Sequence, residues 1–512
     1  MIYNSYSLKF FSMLLIPCIL MLSSGVSYSG SEDSNLTGQP FSHDSVMQLA
    51  RELAQEPFQE PEKAPESLTQ MDYSTYRKIN FKQDQAVWGS SRTKFSVEFF
   101  APGFLFKDLV DIDVVENGLT YPVKVTESSF KVPDEALGKT LEQVGKFSGF
   151  RIHYPVNRHD YKDEFIAFQG ASYFRGVSKG QLYGLSMRGL AIDTAQPTGE
   201  EFPRFIRFWI ERPSIHQEAI VVHALLDSKS VSGAYRFGIY PGSPTRVDVD
   251  VTLFPRREIK HYGLAPLTSM FMHGPMVLSK TPDYRPAVHD SEALAIITGN
   301  DEQLWRPLNN PQKLQVSAFI DEHLKGFGLI QRNRDFSYYQ DLEAKYHLRP
   351  SAWVKPIGDW GKGHVELIEI PSDSEINDNI VAYWQPAEEL KIDQPFSYSY
   401  RLIWPDDLPS TIYKTRIVRS SGGEKLFDGN KEIVVDYSHL NIEEINNIQV
   451  EASISRGSIL ESVIEPNPYT GGTRVFFSFD PENADVPELR LQIKKDGKPI
   501  AATWLYRWTN QN

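Results

Sequence analysis

Two aspartates sit in turn-like segments beside apolar strands: Asp290 in His289-Asp290-Ser291 and Asp378 in Ile376-Asn377-Asp378-Asn379-Ile380. A pair of carboxyl groups, one protonated and one ionised, is what glycoside hydrolysis needs. The first protonates the leaving oxygen and the second activates water. With 66 acidic residues in the chain, composition alone does not choose the pair. Other chemistries lack their signatures: there is no Gly-rich loop ending in Lys-Ser/Thr, no dinucleotide fingerprint after a strand, no HExxH, and a single cysteine, Cys18. The 12 histidines are scattered singly, a pattern that fits surface or hydrogen-bonded core positions better than a metal centre. No metal and no cofactor are expected. Gly358-Asp359-Trp360-Gly361-Lys362-Gly363 faintly resembles a phosphate loop, but it precedes a strand and not a helix, so a tight turn is expected.

Between residues 150 and 385 aromatics and charges are densely mixed, as in the segment from Asp283 to Glu292 and in Leu304-Trp305-Arg306-Pro307-Leu308-Asn309. Carbohydrate sites use this mixture, because sugar rings stack on flat aromatics while planar polar groups bond adjacent hydroxyls. A β-sandwich core also consumes aromatics, and any one Trp fits packing better than a sugar platform.

The elements that must position these residues follow from periodicity. Val46, Leu49, Ala50 and Leu53 fall at helical spacing after Ser42 or Asp44, predicting one amphipathic helix. Beyond Pro61 the period changes to two. From Thr245 to Phe254, Val247, Val249, Val251 and Leu253 alternate with polar residues, the pattern of a half-buried strand. Similar runs occur at 94–100, 220–226, 364–370 and 381–384, and again at 396–404, 431–437, 474–479, 489–493 and 501–508. The expected fold is all-β: a large N-terminal β-sandwich over residues 30–385, a polar, proline-bracketed linker at 386–395, and an immunoglobulin-like β-sandwich over 396–512.

The chain has 512 residues with 53 Lys+Arg against 66 Asp+Glu, a formal charge of −13. That balance argues against nucleic acid and anionic lipid as partners and favours a neutral polar substrate. Residues 1–29 read as a signal peptide: Lys9, an apolar run from Phe10 to Leu22, then small residues ending at Ser29. The run is too short to span a bilayer, and no later stretch is long enough, so no membrane span is expected in the mature chain. Cys18 lies inside the run after Pro17, a poor context for lipid attachment. Without a twin arginine the export route reads as Sec.

Over nearly the whole mature chain the sequence resembles the periplasmic glucan biosynthesis proteins G and D of Gram-negative bacteria. The carriers are Gly149 to Pro155, Gly170 to Arg175, Arg188 to Thr194, Pro266 to Phe271 and the block from Gly326 through Pro371; the Sec-like signal aligns it with the G branch. The resemblance implies a periplasmic protein whose large sandwich bears a long cleft for linear β-1,2-glucan, acting as an inverting endo-β-1,2-glucanase. Carried over by motif, Asp378 becomes the general acid, Asp290 the group that takes a proton from water, and Tyr346, in Lys345-Tyr346-His347, a cleft tyrosine. Trp305, Arg306, Arg349, Trp353 and Glu375 are expected to bind substrate. Asp378 is expected to keep its proton through burial or through Glu375, and Asp290 to stay ionised. The competing expectation is a glucan-binding or β-1,6-branching assembly factor without hydrolytic activity, working with the inner-membrane glucan synthase, on which its C-terminal domain would dock.

Overall fold

Alternating burial builds the centre of the molecule. In the strand Thr245–Pro255, Val247, Val249, Val251 and Leu253 are buried, each contributing about 1.5–3 kcal/mol from removal of its surface from water. The polar residues between them are used across the strands: Asp248 accepts from Arg401 Nε at 2.6 Å and Nη2 at 2.8 Å, and Asp250 accepts from Ser399 Oγ at 2.8 Å. This computed structural model describes residues 38–409, 412–425, 427–442 and 447–509. The expected signal peptide, 1–29, lies outside the described residues.

Among the described residues a 16-stranded sheet and a 10-stranded sheet form the large sandwich. Phenylalanines join their inner faces: Phe168 meets Phe237 at 5.2 Å between ring centroids and Phe150 meets Phe208 at 4.9 Å, both edge-to-face. The predicted helix spans His43–Gln55 and lays Val46 and Ala50 on Trp209, Ala234 and Phe254 of the larger sheet. Its last carbonyls are capped by Arg256, which donates to Leu53 O at 2.5 Å and Glu56 O at 3.2 Å.

The expected start of the C-terminal domain at Phe396 is corrected by strand pairing. The strand Phe396–Trp404 is hydrogen-bonded between Thr245–Pro255 and Ala352–Ile357, inside the larger sheet of the N-terminal sandwich. Residues 387–395 instead carry the chain from Ile380–Pro386, in the smaller sheet, to Phe396–Trp404, in the larger one. Leu390 is buried on the way and exchanges backbone hydrogen bonds with Ile259. Prolines and polar residues serve such a crossover as well as they serve an interdomain linker.

Beyond Trp404 a smaller sandwich follows. Its four-stranded sheet contains Arg416–Glu424, Lys431–Ser438, Gly472–Asp480 and Ser458–Asn467. The facing strands Ile448–Ile454, Glu488–Lys495 and Thr503–Arg507 continue the larger sheet, because Thr503–Arg507 pairs in parallel with Gln303–Pro307. Val435, Phe477, Leu491 and Trp504 fill the space between. The Gly358 to Gly363 segment is the expected turn, with Gly358 at φ 81° and Gly361 at φ 69° ahead of the strand Lys362–Glu369.

Candidate functional site

One backbone segment at the end of the strand Tyr262–Ser269 positions both aspartates. Asp290 donates its backbone N–H to Met270 O at 2.8 Å, and Asn379, the residue after Asp378, donates its own to Ser269 O at 3.0 Å. The Asn379 side chain then locks the register: Oδ1 accepts from Phe271 N at 2.8 Å, while Nδ2 donates to Phe271 O at 3.0 Å and Ile370 O at 3.1 Å. Ser269 and Ser291 share a hydroxyl hydrogen bond at 2.8 Å. Asp290 and Asp378, 88 positions apart in the sequence, are thereby tied to residues 269–271.

Their surroundings differ. Asp290 is 4% exposed and its Oδ1 accepts from Arg349 Nη1. Burial pushes its carboxyl up to about 6; Arg349 and Arg175 oppose the rise, and the nearby charge of Asp378 adds to it. Asp290 is therefore ionised above about pH 6. Asp378 is exposed, and its Oδ2 accepts from Ser186 Oγ at 3.2 Å. The burial expected around Asp378 is absent. Glu375 is engaged elsewhere: its Oε2 accepts from the Tyr346 hydroxyl at 3.1 Å and lies 2.9 Å from Arg285 Nη1.

Tyr346 is buried, and the Arg349 guanidinium lies over its ring at 4.5 Å. Arg285 also pairs with Asp283 and Asp341 at 2.9 and 2.8 Å, so one guanidinium clasps three chain segments around Tyr346 and Glu375. Asp290, Asp378, Tyr346, Arg349 and Glu375 thus belong to one neighbourhood. Three other expected substrate-binding residues do not join it. Arg306 is sealed in the interior, with Nη2 3.2 Å from Glu369 Oε2 and its guanidinium over the Tyr506 ring, and offers no face to a sugar. Trp353 is core, its ring lying across Gly326 and Gly328, where a Cβ would come within 2.6 and 2.9 Å of it. Trp305 is 3% exposed, covered on one face by Arg332 at 4.2 Å, and lines a separate cavity.

Sequence reasoning missed Ser186, Arg175 and Arg285. Arg175 and Arg285 lie in segments noted for their composition or resemblance, but nothing local assigns their charges to Asp290 or Glu375. Ser186 reaches Asp378 across 192 positions, and no short-range signal records that contact.

The family described as "Periplasmic glucan biosynthesis protein, MdoG" matches residues 41–508. Glucans biosynthesis protein G 2 of Shewanella oneidensis is 59% identical over 99% of this chain and 96% of its own length. Glucans biosynthesis protein G of Vibrio cholerae is 47% identical over 92% of this chain and 87% of its own, and that of Rhodopseudomonas palustris strain BisA53 is 46% identical over 92% and 93%. Among solved structures, a GH36 α-galactosidase from Geobacillus stearothermophilus overlaps 51% of this chain and 40% of its own at 8% identity and a TM-score of 0.27, too distant to bear on fold or activity. The chain belongs to the periplasmic glucan biosynthesis protein family.

Proposed function

We propose that this protein is an inverting endo-β-1,2-glucanase that trims linear β-1,2-glucan in the periplasm, after Sec export, as the chain emerges from an inner-membrane synthase. The observation that carries the reading is the shared anchoring of Asp290 and Asp378 on residues 269–271, which holds a buried carboxylate near an exposed one. In the reaction, water attacks the anomeric carbon from the face opposite the leaving sugar and passes a proton to Asp290. The glycosidic C–O bond breaks as its oxygen takes the proton of Asp378, and the new hemiacetal has inverted configuration. Bound glucan would cover Asp378 and exclude water from it, supplying the burial that the free protein lacks. Tyr346 and Arg349 would orient Asp290 and line the substrate path.

The exposure of Asp378 favours a second reading, a protein that binds glucan without cleaving it or assists β-1,6 branching beside the synthase. Incubating the mature protein with linear β-1,2-glucan separates the two. Shortening of the polymer with inverted product anomers, lost in Asp378→Asn, supports the hydrolase. Binding with no change in polymer length in either protein refutes it.

A further inference from the structure

Ser186 and Thr268 are direct partners in the antiparallel pairing of the strands Ser186–Arg188 and Tyr262–Ser269, within the smaller sheet of the large sandwich. The next pair in the ladder, Met187 and Leu267, is buried in the core between the two sheets. Side chains alternate along a strand, so the two hydroxyls stand on the opposite, outer face, where Ser186 meets Asp378. Both residues are fully buried there. Thr268 also comes immediately before residues 269–271, the segment that anchors Asp290 and Asn379.

The hydroxyls form a chain that points one way. Thr268 Oγ1 donates to Ser186 Oγ at 3.3 Å and lies 3.4 Å from Ser186 O, and Ser186 Oγ donates to Asp378 Oδ2 at 3.2 Å. A hydroxyl has a single proton, so that of Ser186 is committed to Asp378 while its oxygen accepts from Thr268. Each bond polarises the next, which strengthens the donation to Asp378. The chain also tells the two carboxyl oxygens apart. A proton on Oδ2 would meet the hydrogen of Ser186 head-on, whereas a proton on Oδ1 keeps the Ser186 bond intact.

We infer that Ser186, oriented by Thr268, is a positioning residue for the acid step: it holds Asp378 by Oδ2, so that Oδ1 is the oxygen that hands its proton to the glycosidic bond. The inference rests on the glucanase reading above, in which Asp378 is the acid. As the proton passes from Oδ1 to the glycosidic oxygen, the C–O bond breaks and Asp378 is left as a carboxylate. The bond from Ser186 becomes charge-assisted in that step and grows about twice as strong. An interaction that strengthens only in the transition state raises kcat, and Ser186 is too deeply buried to meet the substrate and change KM. A leaving group that departs as a stable anion needs no proton, so its loss gains nothing from Ser186.

The test compares two substrates, linear β-1,2-glucan and the 4-nitrophenyl β-glycoside of the β-1,2-linked glucose disaccharide, in the mature wild-type protein and in Ser186→Ala, Thr268→Val and Thr268→Ser. On the glucan, Ser186→Ala is expected to lower kcat about tenfold, the gap between a charged and a neutral hydrogen bond, with KM unchanged to within about twofold. Thr268→Val keeps the side-chain shape and removes only the hydroxyl; it should lower kcat in the same direction by less, and Thr268→Ser should restore it. On the nitrophenyl substrate, which releases a stable anion, the loss in Ser186→Ala should shrink to less than about twofold. An equal loss on both substrates would mean a disturbed fold, and an unchanged kcat on the glucan would mean an idle contact; either overturns the proposal while the glucanase reading stands. A wild-type protein that cleaves neither substrate sinks that reading, and the role of Ser186 with it.

Discussion

Two buried arginine–carboxylate pairs occupy different regions of this molecule. Arg306 and Glu369 lie where the large sandwich meets the smaller one, with side chains 2% and 0% exposed. Glu369 is satisfied further by the backbone N–H of Asn309 at 2.7 Å, and Arg306 by Pro307 O and the Tyr506 ring. Arg349 and Asp290 make the same kind of bond, but Arg349 remains 21% exposed and Asp290 feels a second carboxylate, Asp378. A pair whose valences are closed by its own protein holds sheets together. A pair left open to solvent and to another charge can still exchange a proton. Burial alone therefore does not mark function; what remains unsatisfied does.

Removing the carboxylate from each pair tests that distinction. Asp290→Asn is expected to lower cleavage of linear β-1,2-glucan by about 10²–10⁴-fold, the range of general acid–base catalysis, while the chain still folds. Retained cleavage would show that the open pair is as structural as the closed one. Glu369→Gln should act on stability instead. Leaving Arg306 buried without its counter-charge costs about 3–5 kcal/mol, read as a lower urea midpoint, with the turnover of the folded fraction unchanged. A loss of turnover without loss of stability would reverse the assignment.

How much of this was legible in the sequence depended on the range of the interactions. The strand Thr245–Pro255 was readable because its alternation is local, and its burial follows the same period of two. His43–Gln55 was readable from helical spacing for the same reason. Asp290 and Asp378 were found as turn carboxylates, but their meeting depends on Asn379 bonding Phe271 across 108 positions. Arg306 was misread because an arginine beside a tryptophan has the composition of a sugar site, whereas its fate is decided by Glu369, 63 positions away. The domain boundary was misplaced for a related reason: whether a polar segment between prolines links two domains or crosses between two sheets depends on the strand partners that follow it.

The smallest effect concerns the open pair's titration. In the proposed reaction Asp290 must be ionised to take a proton from water, so cleavage is expected to fall as pH drops through about 6, where burial has placed its carboxyl. The guanidinium of Arg349 favours the ionised form and holds that value down. Arg349→Gln keeps a hydrogen-bond donor and removes the charge, so the acid limb of the kcat/KM profile should move upward by about one pH unit or more. The direction is the diagnostic: protonated Asp290 is the inactive form, and losing the nearby cation stabilises that form, so activity is lost from the acid side while the plateau at higher pH stays near wild type. An unmoved limb accompanied by a lower plateau would mean that Arg349 only positions Asp290, and would bring its pair closer in kind to Arg306 and Glu369.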